Sequence, residues 1–169
     1  QLMVWKKLQA NPVVPFNTSG GLTVTAWRDP CVFREGDRTF MATGCKLDAR
    51  DGGDAVILLH EAEGRELTRW QYRGILFRHH SKDAHGIESP NLFKINDKHV
   101  LLISPFGPAE YHVGRFDLNT LTFTPEKSGL VDVSDCFHAA NVMEDGNNRH
   151  VLVGSIRGFR HGRGWNGCI

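Results

Sequence analysis

The sequence predicts an all-β chain that forms part of a β-propeller, about two full blades and the start of a third. Three observations carry this. Short strand-like segments recur along the chain, no apolar pattern of helical period lasts a dozen positions, and one hairpin returns with the same entry residues. The segments 38–47, 55–61, 99–104, 111–116 and 150–155 are rich in β-branched or aromatic residues, and each is bounded by Gly, Asp, Asn or Pro. The eighteen glycines suit turns and close backbone approaches.

The repeat sets the architecture. Arg28-Asp29-Pro30-Cys31-Val32-Phe33 leads through the turn Glu35-Gly36-Asp37 into the strand from Arg38. Sixty positions on, Glu88-Ser89-Pro90-Asn91-Leu92-Phe93 leads through Asn96-Asp97-Lys98 into the strand from His99. A looser copy runs Ala140-Asn141-Val142-Met143, then a turn at Asp145-Gly146, then the strand from His150. In the first two units a third strand follows, and a fourth lies around Trp70-Gln71-Tyr72 and Leu121-Thr122-Phe123. Four strands per unit at this pitch is the arithmetic of a propeller blade. A β-sandwich also offers many short strands, but it has no reason to repeat one hairpin with the same entry.

Composition narrows the function classes. Net charge of +1 gives no strong attraction to nucleic acid or to an acidic membrane surface, so neither is expected as a partner. No apolar run approaches a membrane-spanning length. Four cysteines without a C-x-x-C pair argue against a zinc framework, and buried thiols are expected over disulfides. His79, His80 and His85 lack the spacing of a helical metal motif and read as a polar loop. Gly162, Gly164 and Gly167 follow no clear strand, which excludes a phosphate loop, and Trp27, Trp70 and Trp165 read as packing residues. Asn17-Thr18-Ser19 fits an N-glycosylation sequon. A chain that opens at Gln1 without Met and stops at Ile169 is expected to be an internal part, 1–169, of a single catalytic propeller domain that continues at both ends.

The first strand of each blade lines the propeller channel, so entry residues of successive blades converge near the axis. The repeat places Arg28-Asp29 and Glu88 at matching entries. Two carboxylates in one pocket are the minimum equipment for glycoside hydrolysis, one holding a proton for the leaving oxygen and one ionised beside the sugar. Arg28 beside Asp29 favours the ionised carboxylate, while Glu88, flanked by neutral Ile87, Ser89 and Pro90, suits the proton-holding part. Asp132 alone reads as a turn carboxylate between blades. A non-catalytic propeller that binds carbohydrate or protein is the alternative.

These residues also carry a resemblance. Trp27-Arg28-Asp29-Pro30 resembles the Arg-Asp-Pro motif of family 32 glycoside hydrolases, the invertases, inulinases and levanases. Trp5-Lys6-Lys7 with Asn11-Pro12-Val13-Val14 is similar to that family's lead-in, and Glu88-Ser89-Pro90-Asn91 to its Glu-Cys-Pro-Asp motif. Tyr111-His112-Val113-Gly114-Arg115-Phe116-Asp117 resembles its Y-x-V-G-x-F-D strand. Asp132-Val133-Ser134 with Phe137-His138-Ala139 resembles its D-Y-G-x-x-F-Y-A segment, and Trp165-Asn166-Gly167 its W-x-G. Together they span nearly the whole chain in the family's order.

The resemblance implies a five-bladed propeller and retaining hydrolysis of β-fructofuranosides, sucrose or fructan, with no metal or organic cofactor. It implies Glu88 as general acid/base and Asp29 as transition-state stabiliser. Arg28 holds Asp29 and reaches toward Glu88, and Asp132 contacts the sugar. The family's nucleophile lies in an Asn-Asp-Pro-Asn motif that does not occur in these 169 residues, so it is expected upstream and the isolated chain is expected to be inactive. Departures fall at Ser89, Asn91 and His138, where relatives carry Cys, Asp and Tyr, and at Ser155, where they often carry Trp.

Overall fold

The computed structural model describes residues 4–16, 19–81, 84–133, 136–147, 149–157 and 165–168. Asn17, Thr18, Ser134, Gly162 and Gly164, singled out in the sequence, lie outside them.

Three antiparallel sheets follow one another along the chain. The first is β1 (Val24–Glu35), β2 (Arg38–Leu47), β3 (Ala55–Ala62) and β4 (Trp70–Arg78), paired in that order. The second is β5 (Glu88–Ile95), β6 (Lys98–Ser104), β7 (Glu110–Asp117) and β8 (Thr122–Leu130), with the same order. The third holds β9 (Phe137–Glu144), β10 (His150–Arg157) and β11 (Trp165–Cys168), so the last blade has three strands in place. Among the described residues the one helical element is a 3-10 turn, Ala49–Asp51, capped by the Asp48 carboxylate. None of the described helices is long and apolar enough to cross a membrane.

Hairpin connectivity explains the order, because each short turn can only return the chain to the strand beside it. β1 packs alongside β5 and β5 alongside β9, which makes these first strands the inner edge of each blade, while β4 meets β8 on the outside. The main apolar core fills the gap between the first two sheets. The run Ala55-Val56-Ile57-Leu58-Leu59 shows how: all five are fully buried, with Ala55, Ile57 and Leu59 facing the second blade and Val56 and Leu58 facing a separate cluster around Val24, Cys45 and Leu47. A strand buried on both faces reads as a continuous apolar run, and β3 does. Phe33, Phe40 and Phe116 meet within 5.4–5.6 Å of one another across the blade gap, two of the three contacts edge-to-face. A smaller cluster, including Leu102, Phe137 and Ala140, joins the second blade to the third.

Polar ties lock the same interfaces. Glu35 at the end of β1 accepts from Lys94 (3.3 Å) and meets His99 (3.0 Å) on the next blade. Arg38 forks onto Glu61 at 2.7 and 2.8 Å and donates to the Leu118 carbonyl at 2.9 Å. Trp27 packs on the cluster of the first blade's outer face. Cys45 is a buried free thiol that desolvation pushes up to about 12, and Cys31 is a half-buried free thiol.

Candidate active site

The three inner strands share one local irregularity. In β1 the pairing slips between Arg28 and Cys31, in β5 between Glu88 and Asn91, and opposite β9 between Val153 and Ser155. At each slip a non-glycine residue adopts the left-handed region: Asp29 (φ 52), Ser89 (φ 47) and Ala139 (φ 52). Such a bulge re-aims the residue before it and bends the strand. Proline next in line at positions 30 and 90 costs no ladder bond, because the bulge has already interrupted it. The residue aimed by the bulge is Arg28 in the first blade, Glu88 in the second and His138 in the third.

These three side chains meet. Arg28 Nη1 donates to Glu88 Oε1 at 2.6 Å, and His138 Nε2 lies 2.9 Å from Glu88 Oε2. Both Glu88 oxygens are therefore engaged, by groups from the blade before and the blade after. Exposure grades across the cluster: the His138 side chain is 2% exposed, Glu88 18% and Arg28 41%. His138 Nε2 also touches the Arg157 guanidinium on β10. Arginine only donates, so Nε2 accepts from Arg157 when it lacks a proton and donates to Glu88 when it carries one.

Asp29 takes a different partner from the one its sequence neighbour suggests. Arg28 is turned to Glu88, and Asp29 Oδ2 instead accepts the Ser89 N–H at 3.1 Å. An exposed Asp29 lines a cleft of about 390 Å³ with Pro30, Ser89, Pro90, Asn91 and Asn141, so three consecutive blades contribute to one opening. Asn91 ties the cleft floor: its amide donates to Ala140 O at 2.9 Å and its carbonyl accepts Val142 N–H at 3.1 Å. Asp132 stands half-buried in the connection from β8 to β9. Ser155 pairs with His138 across β9 and β10.

Glycine seats Glu88. Gly44 lies opposite Arg28 in the β1–β2 ladder, and a Cβ there would fall 2.1 Å from the Ile87 carbonyl oxygen. The absent side chain lets the backbone just ahead of Glu88 press onto β2. Sequence reading missed His138 as a site residue. The third copy of the repeat was aligned from Ala140, and a histidine at the entry did not match the charged residues of the first two. Spacing back from the Asn141 position, which matches Cys31 and Asn91, would have found it. Among the described residues no group of three His, Cys, Asp or Glu is arranged to hold a metal ion.

A propeller whose inner strands bring a carboxylate, an imidazole and a guanidinium together beside a cleft is an architecture that hosts many functions. The Glycosyl hydrolases family 32 N-terminal domain matches residues 1–168, and the chain belongs to that family. It is 30% identical over 146 residues to the sucrose-6-phosphate hydrolase of Klebsiella pneumoniae, covering 75% of this chain and 30% of that protein. To the enzyme of the same name from Zymomonas mobilis it is 27% identical over 170 residues, 86% of this chain and 32% of that one. In fold it resembles the GH32 beta-fructofuranosidase of Bombyx mori, with TM-score 0.75 and 20% identity over 97% of this chain and 37% of that one. Fructan 1-exohydrolase IIa of Cichorium intybus gives TM-score 0.70 and 19% identity over 90% of this chain and 32% of that one. The chain spans about 30% of the length of the curated relatives it matches.

Proposed function

We propose that the protein carrying this chain hydrolyses β-fructofuranosidic bonds, in sucrose or a fructan, with retention, and that Glu88 is its general acid/base. The observation that carries this is the clamp on Glu88: both carboxyl oxygens are held, by Arg28 and His138, at the start of an inner strand. A carboxyl group so oriented can give its proton to the leaving oxygen and later take one from water. In the first half-reaction a carboxylate attacks the anomeric carbon, the glycosidic C–O bond breaks, and the Glu88 proton goes to the departing oxygen. In the second, Glu88 deprotonates the water that displaces the carboxylate.

Asp29 is assigned to hydrogen bonds with fructose hydroxyls that tighten as positive charge grows on the ring. Arg28 holds Glu88 in line, and Asp132 is the candidate for a further sugar contact. The nucleophile is assigned to a part of the protein outside these 169 residues, since the family's Asn-Asp-Pro-Asn motif does not occur among them. Accordingly the chain by itself should release no fructose. No cofactor enters this chemistry.

The test is fructose release from sucrose and inulin by the full-length protein and its Glu88→Gln variant. Loss of general acid catalysis should lower kcat by about 10²- to 10⁴-fold. A variant within twofold of wild type removes Glu88 from the acid/base role. A folded wild type that binds sugar and releases no fructose supports the binding-propeller alternative.

A further inference from the structure

The loop 105–109 between β6 and β7 is pinned on both sides to the chain that leads into and opens β9. The Ser104 hydroxyl accepts the Ala139 N–H at 2.9 Å. Ala109 is fully buried, donates its N–H to the Phe137 carbonyl at 3.3 Å and accepts the Val131 N–H at 2.8 Å. Between these anchors Phe106, flanked by Pro105 and Gly107-Pro108, holds the left-handed backbone region at φ 63 and is 40% exposed. A non-glycine residue in that region is held there by its surroundings. The ring belongs to none of the buried apolar clusters of the described residues. Its neighbours are Gly86, where a Cβ would come within 3.2 Å of the ring edge, and the Arg28 guanidinium.

Arg28 is the group that grips Glu88, through Nη1 to Oε1 at 2.6 Å, and its side chain is 41% exposed. An ion pair so exposed is weak on its own, because a long side chain gives up rotamer freedom to keep it. The Phe106 ring supplies a second hold. The guanidinium carbon stands over it, 5.3 Å from the centroid. A cation within about 6 Å of a ring centroid is attracted to the negative face of the ring. Glu88 draws on an N–H in the guanidinium plane and the ring on the delocalised charge, so the two contacts do not compete.

We infer that Phe106 is a positioning residue for the general acid/base: its ring holds the Arg28 guanidinium by a cation–π contact, and Arg28 thereby holds Glu88 Oε1 in line. The inference rests on the fructosidase reading above. Its physical content is that the charge distribution of the ring, and not its bulk, sets the rate. Losing the ring contact frees Arg28 to follow solvent, and Glu88 then keeps the His138 contact on Oε2 without its counterpart on Oε1. A proton donor turned off line slows the bond-breaking step whatever the leaving group, so large and small leaving groups suffer alike.

The experiment replaces Phe106 in the full-length protein by mono-, di- and trifluorophenylalanine, which drain negative charge from the ring face with little change in size. It reads kcat and KM for sucrose and for methyl β-D-fructofuranoside, whose leaving group is small. With each fluorine kcat should fall a step, to about 2- to 5-fold below wild type in the trifluoro protein, while KM stays within about twofold. The fall should be the same on both substrates. Phe106→Leu, which keeps apolar bulk beneath Arg28, should match the trifluoro protein, and Phe106→Tyr should keep the wild-type rate. A flat fluorine series overturns the inference. A loss confined to sucrose overturns it too, because the ring would then act on the leaving sugar and not through Arg28. A wild type that releases fructose from neither substrate sinks the fructosidase reading itself, and this inference with it.

Discussion

A carboxyl group alone does not make an acid/base; its neighbours decide where its proton sits. Glu88 is held from both sides by groups at the equivalent position of adjacent blades, and His138 is the less expected of the two. A tyrosine there, as the resemblance led one to expect, would offer Glu88 one hydroxyl that stays neutral at working pH. A histidine can donate or accept, and its second contact with Arg157 makes the two states compete. In the reading proposed here, His138→Phe should lower kcat by up to about 10²-fold, because Glu88 loses the partner that fixes one oxygen. His138→Gln, whose side-chain amide can still donate to Glu88, should recover part of the rate. A Gln variant no faster than the Phe variant would reduce His138 to a packing residue. Asn91 shows the same logic on the structural side. It donates to one blade-three backbone group and accepts from another, which the aspartate expected from the resemblance could not do.

At the scale of elements, the bulge is the working part of each inner strand. Three slips at matching positions turn Arg28, Glu88 and His138 toward one another, although they sit on separate sheets. What holds the bulged strand against its neighbour is a close approach that only glycine permits. A Cβ at Gly44 meets backbone, not a movable side chain, so Gly44→Ala must displace either β2 or residues 87–88. The expected cost is about 1–3 kcal/mol of stability, together with a loss of fructose release larger than the stability change explains. Urea unfolding and activity measured on the same preparation check both. Wild-type values for each would show that the approach relaxes freely.

The molecule as a whole is held by what lies between blades. Each sheet is only half of a packing solution, and the largest cluster of buried residues lies between the first two sheets. Phe40 is the clearest case, 0% exposed and in ring contact with Phe33 of its own blade and Phe116 of the next. Phe40→Ala should destabilise the protein by about 3–5 kcal/mol. Because this core joins two blades, the melting of both should coincide in one transition. Two separated transitions, or a loss below about 1 kcal/mol, would show that the blades are stable independently.

The strands were legible in the sequence because their cause is local. Alternation, β-branched runs and turn residues placed Arg38–Leu47 at the observed bounds and β3 and β10 within two residues. The repeat was legible too, since Pro30 and Phe33 return as Pro90 and Phe93 ahead of a like turn and strand. Arg28, Asp29 and Glu88 could be named as candidates for that reason. Which of them touch could not be read, because contact depends on bulge geometry and blade spacing, neither of which has a sequence signature. Adjacency suggested Arg28 with Asp29; the bulge turns them apart and gives Arg28 to Glu88, sixty positions away. His138 belongs to the same category. Sequence by itself determined the elements and their order, since short-range forces set both. Tertiary structure decided the partners, because a side chain's neighbours across a blade gap are chosen by the packing of whole sheets.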